Sequence, residues 1–141
     1  MRLNIILGDQ LNWNSLIWQG VDKTTDIFWM AEVAQASLQP ASNKNRTVIF
    51  LSAMRHFAKE IEKKAFDVIY YRITDGFNSF SEVLTHTFNQ HDITEIRCVL
   101  PGDYLVMQEI EHIVKQHRLK IDWLEDKHFI AKRGEFSQWL K

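Results

Sequence analysis

The chain has 141 residues, 45% of them apolar and 25% charged, which is one ordinary globular domain's worth with length enough to bury a core. Seventeen basic residues against eighteen acidic ones leave a net charge of −1, which argues against a sequence-blind nucleic-acid binder, so no direct DNA binding is expected. The single cysteine, Cys98, excludes an internal disulfide framework, a four-cysteine zinc site and a self-contained four-cysteine iron–sulfur cluster.

In chain order, Leu3–Leu7 is a short apolar run ending at Gly8-Asp9-Gln10, the pattern of a strand buried on both faces. The run is too short for a secretory signal and an acid follows it, and no stretch is apolar enough to span a membrane. A cytoplasmic protein without a membrane partner is expected. Asp26–Met30 is a second such run, ending before Ala31-Glu32-Val33. Thr47–Leu51 has strand-type residues. Yet Ile49, Phe50, Ala53, Met54, Phe57, Ala58 and Ile61 fall at helical spacing, and Ser42 or Asn43 offers a cap. The favoured reading is one helix over 43–64.

Val68–Tyr71 forms a third strand, ending near Asp75-Gly76. Phe80, Val83, Leu84 and Phe88 follow the 3.6 period. Glu95–Leu100 is a fourth strand, closed by Pro101-Gly102-Asp103. A weaker helical pattern from Leu105 to Gln116 follows, and Ile121–Leu124 is a fifth strand. Strands alternating with helices predict an α/β class: a three-layer, Rossmann-like arrangement with a five-stranded, mainly parallel sheet, spanning 1–141 as one domain. Ligands of such sheets bind outside the carboxyl ends of the strands.

Those ends carry Gly8, Asp9, Gln10, Glu32, Gly102 and Asp103. No GxGxxG or GxxxxGK[ST] is present, so this is not a phosphate cradle. Carboxylates repel phosphate and accept hydrogen bonds from hydroxyl and ring N–H groups, which suits a neutral, hydroxyl-rich ligand. Asp103 reads equally well as a helix N-cap, and Asp9 as the centre of an Asx-turn. Lys44 and Arg46 stand at the start of the long helix. They either face the crevice or form a solvated basic patch with Lys23 and Arg55. The six histidines show no HExxH and no spacing that makes a metal site, and no GxSxG marks a nucleophile. Cys98 lies inside a strand and reads as an inert core thiol, while Trp13, Trp18 and Trp139 lie in less patterned segments and are candidate surface anchors.

Five short segments in register are more specific: Leu7-Gly8-Asp9-Gln10-Leu11, Trp29-Met30-Ala31-Glu32-Val33, Leu51-Ser52-Ala53-Met54-Arg55-His56-Phe57-Ala58, Pro101-Gly102-Asp103-Tyr104 and Asp126-Lys127-His128-Phe129. With them the chain resembles, over nearly its whole length, the amino-terminal domain of the deoxyribodipyrimidine photolyase-related proteins. These are bacterial cryptochrome/photolyase-like flavoproteins with an iron–sulfur cluster. The resemblance implies a Rossmann-like antenna domain that holds 6,7-dimethyl-8-ribityllumazine or another antenna pigment. A helical domain, in cis or trans, would bind FAD and the cluster and carry out repair of ultraviolet-damaged DNA or light sensing. By position Gly8, Asp9 and Gln10 match the first crevice loop and Glu32 the acid after the second strand. Lys44 matches the first lysine of the family's HHKQKI, which here reads Ser42-Asn43-Lys44-Asn45-Arg46-Thr47, with Thr47 in place of the isoleucine. Leu100 stands where the family favours an acid, and Leu105-Val106 where an arginine is common. The implied role is a pigment-binding module with no catalysis of its own. The alternative is an interaction or scaffold domain with an empty crevice.

Overall fold

Five strands pair side by side in the order β3-β2-β1-β4-β5 in the computed structural model, which describes residues 1–33 and 44–126; the apolar runs of the three central strands are buried on both faces, while the edge strands β3 and β5 are half-exposed. They are β1 (Arg2–Ile5), β2 (Asp26–Ala31), β3 (Asp67–Tyr71), β4 (Glu95–Val99) and β5 (Ile121–Leu124), and every pairing is parallel. Leu3 sits between Ile27 of β2 and Ile96 of β4. The ladder of β1 stops at Ile5, two residues short of the apolar run. Ile6 still donates its N–H to the Trp29 carbonyl at 2.9 Å.

Parallel neighbours need crossovers. Among the described residues three are helical: α1 (Lys44–Lys63) joins β2 to β3, α2 (Phe80–Gln90) joins β3 to β4, and α3 (Tyr104–Gln116) joins β4 to β5. Ser79 caps α2 by accepting from the Glu82 N–H, and Asp103 caps α3 by accepting from the Leu105 N–H at 2.9 Å. Between β3 and α2, Gly76 takes φ 85°, a left-handed turn that a side chain would strain.

Side chains alternate across each strand and separate two cores. Leu3, Ile5, Ile27, Trp29, Ile96 and Cys98 face α2 and α3, meeting Val83, Leu84, Ile110 and Ile113. Ile6, Phe28, Met30 and Val99 face α1, meeting Met54, Phe57, Ala58 and Ile61. The three-layer arrangement follows.

Residues 47–51 are helical, which settles the ambiguity of that segment. The helix does not bury its whole apolar stripe: Ile49 is 70% exposed and Val48 58%, and Ala53 also faces outward. The cap expected at Ser42 or Asn43 lies outside the described residues.

The crossover from β1 to β2 is not a long helix. It is a loop with one 3-10 turn, Leu16–Trp18, packed by aromatic rings. Trp18 stacks on Trp13 with centroids 4.5 Å apart and on Phe28 at 4.6 Å, and Trp13 leans on Phe57 at 4.7 Å. Trp13 and Trp18 are therefore half-buried parts of the second core rather than surface anchors. Trp139 lies outside the described residues.

Candidate functional site

Chain order reverses between β1 and β4: β1 leads outward to β2, and β4 leads the other way to β5. At such a switch the loops leaving two adjacent strands diverge and leave a crevice at the carboxyl edge. Here they are Leu7–Gln10 and Leu100–Asp103, and between them lies an open cavity of about 230 Å³.

Its floor is Leu7, Gly8 and Ala31. Phe50 and Met54, one turn apart on α1, make one wall, and Phe80 of α2 with Val106 of α3 make the other. Pro101, Asp9 and Asp103 form the rim, and both carboxylates are exposed. The lining is thus apolar and aromatic, with negative charge confined to the mouth.

Gly8 leaves the space that the Phe50 ring occupies. A Cβ there would lie 2.4 Å from Cζ and 2.8 Å from Cε1 of Phe50, and 3.0 Å from Sδ of Met54. The Phe50 ring therefore lies across bare backbone. Gly102, by contrast, has open space where a Cβ would go, and it does not line the cavity.

Gln10 is buried and turned inward. Its Nε2 donates to the Val99 carbonyl at 3.0 Å and its Oε1 accepts from the Leu7 N–H at 3.3 Å, so it staples the first loop to the end of β4. Asp103 spends Oδ1 on the α3 cap while its side chain faces the cavity rim, so the capping and crevice readings of this residue are compatible.

Glu32 is fully buried just after β2. Arg55 grips it with two hydrogen bonds, Nε to Oε1 at 2.6 Å and Nη2 to Oε2 at 2.9 Å. The Tyr70 hydroxyl donates to Oε1, and the Ile73 N–H donates to Oε2 at 2.8 Å. A carboxylate offers about four acceptor positions, and here the protein fills them. Burial works against the charge, but these donors outweigh it and hold the pKa of Glu32 below its ordinary value. Burial and the bond to Glu32 together push the Tyr70 phenol well above the usual range. Glu32 is thus a brace between β2, β3 and α1. Arg55, one of the four residues of the proposed basic patch, is its ion-pair partner instead.

Lys44 is the first residue of α1, and Thr47, half-buried, stands one turn before Phe50. Arg46 is exposed. Of the eight sequence candidates, the cavity brings together Gly8, Asp9 and Asp103. Gln10 and Glu32 act behind it, and Gly102 stands outside.

The apolar walls were not singled out from the sequence. Phe50 and Met54 carry a helical period, which marks a core face and cannot say which turn of that face is left uncovered. Cys98, beneath the site, is fully buried. Burial, aided by the Asp9 charge, raises its thiol far above the usual range and leaves no thiolate for chemistry. Among the described residues no cluster of three or more His, Cys, Asp or Glu side chains is placed to hold a metal, and no helix is long and apolar enough to cross a membrane.

A family model for the deoxyribodipyrimidine photo-lyase-related proteins matches residues 4–141. A (6-4) photolyase of Agrobacterium fabrum is 31% identical to the chain over 140 residues. That alignment covers 98% of the chain but 28% of the relative, so the chain spans less than a third of the length of the curated protein it matches.

Proposed function

The chain belongs to the deoxyribodipyrimidine photolyase-related protein family, and on that premise we propose that it is a pigment-holding module: its switch-point cavity takes the bicyclic ring of 6,7-dimethyl-8-ribityllumazine and presents it to a flavin bound in a helical domain, in cis or trans. The whole protein would then use light for photolyase-type DNA repair, with the bond-breaking steps in the flavin domain. This chain's task is to bind and orient.

One observation carries the reading. The cavity lies at the switch point, has apolar and aromatic walls and bears its charge at the mouth. Phe50 and Phe80 offer faces and edges for a heteroaromatic ring, contacts worth about 0.5–1.5 kcal/mol per ring pair beyond burial. Asp9 and Asp103 are acceptors for the hydroxyls of a ribityl tail and repel a phosphate, which favours an uncharged polyol over a nucleotide. Ligand cavities usually span roughly 300–1,000 Å³. A volume of about 230 Å³ therefore suits the ring, with the tail leaving through the mouth.

The ligand has about 23 non-hydrogen atoms, and at ~0.3 kcal/mol per atom the expected dissociation constant is on the order of 10 μM. Titrating the chain against the lumazine by fluorescence should give a saturable one-to-one curve. Val106→Trp fills the cavity from a half-buried wall position and should weaken binding by about tenfold or more without unfolding the chain. An unsaturable curve, or an unchanged affinity in Val106→Trp with a native circular-dichroism spectrum, rejects the proposal.

A further inference from the structure

The cavity has walls of two kinds, one built from core residues and one from a half-exposed helix face. Ala31, Met54 and Phe80 are almost wholly buried and belong to the two cores, so none can retreat without unpacking its neighbours. Phe50 differs. It is 39% exposed, stands on the first half of α1 where Val48 and Ile49 already face solvent, and rests on Gly8 with nothing but backbone beneath it. Its ring is seated against the Gly8 backbone, and its position sets the width of the slot.

We infer that Phe50, held on the Gly8 backbone, is the specificity-determining residue of the cavity, admitting a bicyclic pteridine-type ring and excluding a tricyclic isoalloxazine. The inference rests on the pigment reading above and deepens it. The polar groups of the site cannot make this distinction, because a lumazine and a flavin carry the same ribityl tail and similar carbonyl and N–H edges. Only the length and width of the apolar slot separates them. With Phe50 in place the slot suits two fused rings and leaves no room for a third; without it, a phenyl ring's volume opens beside Met54 and Ala31. The Gly8 backbone works as the seat: a methyl there would lie 2.4 Å from the Phe50 ring and must displace it from its place in the wall.

The test uses 6,7-dimethyl-8-ribityllumazine and riboflavin, titrated against the chain and three variants whose folding is checked by thermal melting. The wild-type chain should prefer the lumazine by about tenfold or more, a discrimination typical of one misfitting group in an apolar pocket. Phe50→Ala should bring riboflavin to parity. Gly8→Ala should weaken lumazine binding by about tenfold, as overfilling does. Phe50→Trp, on an exposed helix face and safe for folding, should do the same if Gly8→Ala melts early. A lumazine preference that is absent in the wild type or survives in Phe50→Ala overturns the inference and leaves the pigment reading standing. Binding of neither pigment by any variant ends both.

Discussion

Both ends of β2 are fastened by a buried carboxylate gripped by an arginine. At its end Glu32 meets Arg55, and at its start Asp26 takes bonds from Arg2 Nη2 at 2.7 Å, from Asn4 Nδ2 at 2.9 Å and from the Asp22 N–H at 2.7 Å. Burial pushes the Asp26 pKa up, but these donors prevail and hold it at about 2. Arg97 completes this polar layer. Burial and the Arg2 charge lower its pKa, and its guanidinium is satisfied by the Leu16 and Ile17 carbonyls and Asn4. A carboxyl whose pKa falls on folding adds stability that is complete above its unfolded value and fades as pH drops through the folded one. For Asp26 the window runs from about 4 down to about 2, and the shift amounts to about 2 kcal/mol. Asp26→Asn should thus lower stability at neutral pH by about 2 kcal/mol and flatten the acid limb in denaturant melts taken between pH 2 and 5. An acid limb as steep as that of the wild type would show that Asp26 does not carry it. At this scale the sequence was only partly readable. Glu32 and Asp103 stand out by position at strand ends, but Arg55 and Tyr70, the partners of Glu32, are brought to it by tertiary packing that no local spacing encodes.

The elements divide into those written in a period and one written in none. Helix α1 follows the 3.6-residue repeat, so Met54, Phe57, Ala58 and Ile61 identify its buried side, while the β-branched run at 47–49 overstates its strand character. The connection between β1 and β2 carries no period because rings, not a helix, cover that part of the sheet. Trp18 lies at its centre, between Trp13, Phe28 and Phe57, and donates its Nε1–H to the Asn12 carbonyl at 2.9 Å. Irregularly spaced tryptophans read as surface features from sequence, since no repeat assigns them a face. Trp18→Ala should cost about 3 kcal/mol, the low end of the core aromatic range, because the residue is half-buried. A surface tryptophan would cost within about 0.5 kcal/mol, so equilibrium unfolding of this variant separates the two descriptions.

On the scale of the whole molecule, the carboxyl edge of the sheet gathers what the chain has to offer a ligand. The strand ends were legible, because apolar runs stop at Gly, Asp and Pro. The strand order was not, because it depends on which way each crossover turns, and the order is what places β1 beside β4 and opens the cavity between their loops. The same order draws Phe50, Phe80 and Val106 from three different helices onto one slot. Two segments within the family match frame this edge: Leu7–Leu11 supplies the floor and Leu51–Ala58 supplies Met54 and the Arg55 brace. Amide chemical-shift mapping of the isotope-labelled chain during addition of 6,7-dimethyl-8-ribityllumazine locates any bound ring directly. The expected result is saturable shifts at Gly8, Asp9, Ala31, Phe50, Asp103 and Val106, with Thr24–Ile27 at the opposite edge of the sheet unmoved. Shifts centred on that opposite edge, or no shifts at saturating pigment, would contradict the assignment of the switch-point cavity as the pigment site.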